Sequence, residues 1–115
     1  MPHNVVAVVA DLFFMVKIMD AAKRAGVAIE FVKSEADALE RARLGAGMVL
    51  VDLNCAGIDP LRLVKSLKED AAIRVIGYVS HVNIELRRHA LEAGYDLVVA
   101  KSALSKDLQK LLAAN

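Results

Sequence analysis

Apolar residues fall along this chain in two alternating textures. Short runs rich in β-branched side chains recur: VVAVVA (5–10), VAIEFV (27–32), MVLV (48–51), RVIGYV (74–79) and DLVVA (96–100). They lack strict alternation with polar residues, which predicts strands buried on both faces, as in a parallel sheet. Between them lie segments with apolar residues at helical spacing. Gly26 stops the first, after MDAAKRA. SEAD (34–37) opens the second as a variant capping box, with Asp37 in place of the usual Glu or Gln, and Gly45 closes it. Asp59-Pro60 sets a cap before a proline at the first helical position, and the residues behind it put Leu63, Val64 and Leu67 on one side. Asn83 caps IELRRHALEA and Gly94 ends it. A last amphipathic helix, LSKDLQKLL (104–112), turns Leu104, Leu108, Leu111 and Leu112 inward.

Five strands, each followed by a helix, imply right-handed crossovers and a doubly wound α/β sheet with helices on both faces. The pattern runs without repeat or linker, so residues 1–115 form one domain. In such sheets ligands bind beyond the carboxyl ends of the strands, which makes the residue where each apolar run stops the informative one. The first run ends at Asp11, the second at Lys33-Ser34, the third at Asp52, the fourth at Ser80 and the fifth at Lys101. Singly, each has a plain explanation as a turn, cap or solvated residue. Together they place two carboxylates, a hydroxyl and an ammonium on one rim.

Two carboxylates a few ångströms apart repel by up to ~4 kcal/mol at an effective dielectric of 20, so a cation or a shared proton must offset them. Mg²⁺ suits one or two carboxylates with water and a phosphate oxygen. A carboxylate can also attack phosphorus and carry the group as an acyl phosphate, while a lysine and a hydroxyl hold the phosphoryl oxygens. The stretch MVLVDLN (48–54) puts Asp52 at the centre of such a site.

Composition narrows the field further. At 115 residues and 57% hydrophobic content the chain can bury a real core. Fifteen basic against fourteen acidic residues leave no global field for nucleic acid or an anionic membrane. A lone cysteine, Cys55, fits a reducing compartment. The apolar N-terminal run lacks a basic leader and is interrupted by Asp11, so it reads neither as a signal peptide nor as a membrane span. The expectation is a cytoplasmic protein.

The ordered set VVAD (8–11), VDLN (51–54), IDPL (58–61), VS (79–80), EAG (92–94) and VVAK (98–101) resembles the receiver domain of two-component response regulators over the whole chain. That resemblance implies a flavodoxin-like (βα)5 fold with strand order 2-1-3-4-5. It implies Asp52 as phospho-acceptor, with Mg²⁺ held by Asp11, Asp52 and the backbone carbonyl of Asn54. Ser80 matches the Ser/Thr switch position and Lys101 the lysine of the family. The implied partners are a histidine kinase or phosphotransfer protein and a downstream protein target, with a homodimer among the options and no direct role for nucleic acid or membrane. Catalysis, if any, is limited to Mg²⁺-dependent self-phosphorylation and dephosphorylation at the aspartate. No output domain follows the fifth helix, so output is expected through docking.

Several residues depart from the family pattern. Ala10 stands where receivers usually carry a first acid, which predicts weakened Mg²⁺ binding, since an outer-shell partner is typically worth about 10–100-fold in affinity. Cys55-Ala56 replaces the usual Met-Pro, and Pro60 replaces a glycine. Ser102 follows Lys101 where a proline is usual, which argues against a cis bond there. Val98 occupies the place of a switching Tyr or Phe, and Tyr95, three residues earlier, has no evident claim to that role. His81, next to Ser80, could hinder a phosphoryl donor or position water, or simply face solvent; His3 and His89 read as surface residues. Phe13 to Val16 are apolar all round the first turn of their helix, so they are either covered by a loop or exposed as a docking or self-association surface. Cys55 reads as a small, half-buried loop residue rather than a redox centre.

Three readings compete. One is a receiver operated by phosphate on Asp52. Another is a pseudo-receiver, an interaction module independent of phosphorylation, favoured by Ala10, Val98 and Ser102. The third, a small flavin- or nucleotide-binding domain, lacks any phosphate-cradling glycine loop after the first strand.

Overall fold

The structure, a computed structural model, describes residues 4–70, 73–80 and 83–113. Five strands and five helices alternate: β1 (Asn4–Val8), α1 (Leu12–Ala25), β2 (Ala28–Val32), α2 (Glu35–Arg43), β3 (Met48–Asp52), α3 (Pro60–Asp70), β4 (Arg74–Val79), α4 (Ile84–Ala93), β5 (Leu97–Ala100) and α5 (Lys101–Ala113). The strands are all parallel, in the order β2-β1-β3-β4-β5. The doubly wound sheet is the one the pattern predicts, and its strand order is the flavodoxin-like one that the resemblance implies.

The period-2 alternation of a strand divides the core in two. Val5, Ala7, Val9, Met48, Leu50, Ile76 and Tyr78 pack under α1 and α5, against Phe14, Ile18, Leu104, Leu108 and Leu112. Val6, Val8, Val49, Val51, Leu53, Val75 and Val79 pack on the other side, under α2, α3 and α4, against Ala38, Leu63, Val64, Leu67 and Ala90. Each fully buried aliphatic side chain contributes about 1.5–3 kcal/mol by leaving water. The central strands are buried on both faces as the apolar runs predict, but β2 is not. It lies at the sheet edge, where Ala28 and Glu30 are exposed and Glu30 pairs with Arg41 at 3.0 Å.

The predicted helix punctuation is local chemistry and appears as such. Gly26 ends α1 in the left-handed conformation (φ 70°). The Ser34 hydroxyl accepts from the Asp37 N–H, Asp59 accepts from the N–H groups of Leu61 and Arg62, and Asn83 accepts from that of Leu86. These side chains fill the first-turn donors that a helix leaves open. Gly94 ends α4, whereas α2 stops at Arg43, two residues before Gly45, with Leu44 as its cap.

Two boundaries differ from the sequence expectation. β1 ends at Val8, and Asp11 is the N-cap of α1 rather than a strand residue. The last helix begins at Lys101, directly after β5, not at Leu104. A proline disfavours helical conformation in the residue before it. Ser102 imposes no such restriction, so Lys101 enters the helix at once. Non-helical angles at Asp107 (φ −110°, ψ 17°) kink α5 midway.

Candidate functional site

Asp52 is the last residue of β3 and continues the series Met48, Leu50 that faces α1 and α5. Its strand is held between β1 and β4, so the carboxylate is presented from a rigid platform. The chain turns immediately afterwards. The Asn54 N–H donates to Asp52 Oδ1 at 2.9 Å, and the Cys55 N–H donates to the Asp52 carbonyl at 3.0 Å. Among the described residues nothing donates to the Asn54 carbonyl, and Asn54 is exposed. The far end of this loop is braced. Arg62 forks onto both Glu35 oxygens (3.0 and 2.7 Å), Glu35 accepts from the Asp59 N–H, and the Tyr95 hydroxyl donates to the Pro60 carbonyl at 2.9 Å.

Asp11 reaches the same rim from the start of α1. Its Oδ1 accepts from the N–H groups of Phe13 (3.0 Å) and Phe14 (3.2 Å), while Oδ2 accepts from Lys101 Nζ at 2.7 Å. Lys101 also lies over the Phe14 ring, 4.9 Å from its centroid. A half-exposed ion pair alone is worth little; the ring and the helix start give this one a fixed place. Ser80 follows β4 on the same side and is exposed. Ser80 and Lys101 line an open cleft of about 500 Å³, together with Lys17, Ser102, Ser105 and Lys106.

The two acids titrate in opposite directions. The Lys101 ammonium, and then the Phe14 N–H, hold Asp11 below the ordinary carboxylate range. Burial pushes Asp52 above it, and repulsion from Asp11 adds to the rise; the Asn54 N–H and Lys101 work against it. The carboxylates are thus close enough to sense each other, with the lysine bonded to Asp11 rather than Asp52.

The family model of the response regulator receiver domain matches residues 6–113. The chain belongs to that family. Solved receivers superpose over nearly its whole length. A response regulator from Thermotoga maritima is 19% identical, with 99% of this chain and 100% of that one covered at a TM-score of 0.80. A CheY-like receiver from Methanospirillum hungatei JF-1 is 16% identical, with 96% and 90% covered at 0.83. A response regulator from Burkholderia pseudomallei, solved with a phosphorylated aspartic acid, a calcium ion and citrate, is 21% identical, with 98% and 68% covered at 0.82. A comparison with curated protein sequences returns no match.

Receivers generally bind Mg²⁺ at the phosphorylation site, and the donors here are of the right kind. Asp11 and Asp52 supply hard anionic oxygens, and the Asn54 carbonyl adds a neutral one without a hydrogen bond from the described residues. The set is lean: Ala10 is exposed and contributes no carboxylate, and no group of three or more acidic, histidine or cysteine side chains converges among the described residues. Lys101 already occupies one Asp11 oxygen.

Other sequence expectations resolve individually. Phe14 is buried, whereas Phe13 is 89% exposed, with Leu12, Val16 and Met19 exposed along the same helix. Cys55 is buried rather than half-buried, and desolvation followed by the Asp52 charge raises its pKa, which disfavours the reactive thiolate. Val98 is buried on the face opposite the site, and so is Tyr95. His3 and His81 lie outside the described residues, and no described helix is long and apolar enough to cross a membrane. Sequence reasoning missed Tyr78. This residue pairs in register with Asp52 on the neighbouring strand, and the only sequence signal was a hydroxyl inside an apolar run.

Proposed function

We infer that this protein is a phosphate-operated signalling receiver in which Asp52 accepts a phosphoryl group from a histidine kinase or phosphotransfer protein. The observation that carries this reading is the convergence of Asp52, Asp11, Lys101 and Ser80 on the rim above the α1/α5 face. An oxygen of Asp52 attacks phosphorus; the new O–P bond forms as the donor's P–N bond breaks, and the electron pair leaves on the imidazole nitrogen. Burial favours this step by making the carboxylate more basic than a solvated one. Lys101 must then exchange Asp11 for a phosphoryl oxygen, a short swing along its own side chain, and the Ser80 hydroxyl donates to another. Asp11, Asp52 and the Asn54 carbonyl would hold Mg²⁺, which supplies positive charge against the phosphoryl oxygens. The phosphorylated aspartate and calcium of the Burkholderia pseudomallei regulator support the chemistry by analogy. Residues 1–115 act as one cytoplasmic domain whose output is docking to a protein target or to a second copy.

A specific observation favours a second reading. Lys101 closes onto Asp11 at 2.7 Å where a metal would need that oxygen, and with Ala10 in place of an acid the rim could be locked as a phosphate-independent interaction module. Mg²⁺-dependent beryllofluoride binding followed by NMR separates the two. The receiver reading expects saturable shifts around Asp52, Ser80 and Lys101 that vanish in Asp52→Asn. Absence of binding at millimolar Mg²⁺ would leave only the module.

A further inference from the structure

Tyr78 is the one buried side chain among the described residues whose polar atom has no hydrogen-bond partner. Its ring is only 1% exposed. A hydroxyl removed from water without a partner is costly, and such groups in folded proteins call for a reason. The position of this one is specific. Asp52 and Tyr78 are direct register partners on β3 and β4, so their side chains leave the sheet on the same face. The backbone is tied there as well, because the Leu53 N–H donates to the Tyr78 carbonyl at 3.0 Å. The hydroxyl and the carboxylate are near enough to perturb each other's protonation, Asp52 being the largest electrostatic influence on Tyr78 after burial itself. The hydroxyl approaches the carboxylate closely enough for an incipient hydrogen bond to weigh on both groups, yet it stops short of full hydrogen-bond geometry and is left without a proper partner.

The hydroxyl cannot swing out to water. The Phe14 ring packs against the Tyr78 ring at 5.1 Å between centroids, tilted by 58°. Phe14 in turn carries the Lys101 ammonium on its face. Tyrosine, aromatic neighbour and lysine therefore form one packed unit beneath the acceptor. A leucine or methionine at position 78 would fill the same apolar space without an orphan oxygen.

We propose that the Tyr78 hydroxyl is a donor held in reserve for the acceptor, completing a hydrogen bond to an oxygen of the phosphoryl group when Asp52 carries one. This rests on the reading of Asp52 as phospho-acceptor. Addition of the group brings new acceptor oxygens and a fixed carboxyl orientation to a place where a desolvated donor already waits. The donor then stabilises the phosphorylated form more than the free one.

The test uses beryllofluoride with Mg²⁺ as the phosphoryl mimic and protein labelled with ¹³C at tyrosine Cζ. The chain has two tyrosines and no tryptophan, so two resonances report, and Tyr95→Phe assigns them. The Tyr78 signal should move on beryllofluoride binding while that of Tyr95, on the opposite face, stays. Tyr78→Phe should fold at least as stably as wild type, because it removes an unpaired buried oxygen, yet bind beryllofluoride about tenfold more weakly. A merely structural tyrosine would not separate stability from affinity in this way. Wild-type binding with an unmoved Tyr78 signal, or unchanged affinity in Tyr78→Phe, overturns the role of Tyr78 alone. No binding by the wild type overturns the acceptor reading and this donor with it.

Discussion

Replacing Gly77 by alanine probes how tightly the sheet is packed beside Asp52. Gly77 lies in β4 between Val51 and Val98, facing away from the rim. A Cβ placed there would sit 2.9 Å from Leu53 Cδ2, 3.1 Å from Leu53 Cγ and 3.1 Å from Tyr95 Cδ1. Carbon atoms prefer about 3.5–4.0 Å, so the contacts fall short by roughly half an ångström. Neither neighbour can yield freely: Leu53 and Tyr95 are 4% and 3% exposed, and the Tyr95 hydroxyl is bonded to Pro60. Overpacking of this kind costs about 1–3 kcal/mol, against which alanine recovers about 0.5–1 kcal/mol of the backbone entropy that glycine loses. The net expectation is a loss of about 1–2 kcal/mol, or roughly 4–8 °C in Tm for a domain of this size. Chemical denaturation of four proteins measures it: wild type, Gly77→Ala, Leu53→Ala and the double variant. Shortening Leu53 opens the space that the new methyl needs, so Leu53→Ala should cost about 1 kcal/mol less in the Gly77→Ala background than alone. Stability of Gly77→Ala within about 0.5 kcal/mol of wild type, or strict additivity of the pair, would refute the steric argument. Because Leu53 follows Asp52 directly, Gly77→Ala should also weaken beryllofluoride binding.

Two further outcomes follow from the rim. Burial raises the proton affinity of Asp52, so between the ordinary carboxylate pKa and its folded value the native state holds more protons than the unfolded one, and stability falls as pH rises through that window. Asp52→Asn removes this slope: it should be more stable than wild type at pH 7, with the difference closing toward about pH 4, and a gap that widened on acidification would contradict the burial argument. Ala10→Asp restores a carboxylate at an exposed rim position and should tighten Mg²⁺ binding about 10–100-fold in an NMR titration; unchanged affinity would mean that the missing acid is not what limits the site.

Local chemistry made the frame legible from sequence. The caps at Ser34, Asp59 and Asn83 and the stop at Gly26 each depend on residues within one turn, so their types alone announced them. The rim residues were legible because a parallel sheet ends every apolar run at the same edge. What stayed hidden depended on neighbours far along the chain. Glu30 is exposed because β2 is an edge strand, which only the strand order decides. Asp11 is divided between a helix cap and a lysine ninety residues away. Tyr78 stands beside Asp52 because β3 and β4 pair in one particular register, and a single sequence carries no record of register. The helix start at Lys101 was within reach, since the absence of proline at position 102 permits it.

That helix start has a kinetic meaning. With β5 running straight into α5, no flexible segment lies between the sheet and the lysine. Moving the ammonium from Asp11 to a newly bound anion requires only rotations about the bonds of one side chain, events of picoseconds to nanoseconds, whereas a rearranging loop takes up to microseconds. Such a rim would respond almost as soon as its charge changes, and how long the response lasts would be governed by the lifetime of the bond made at Asp52 rather than by any slow return of the polypeptide.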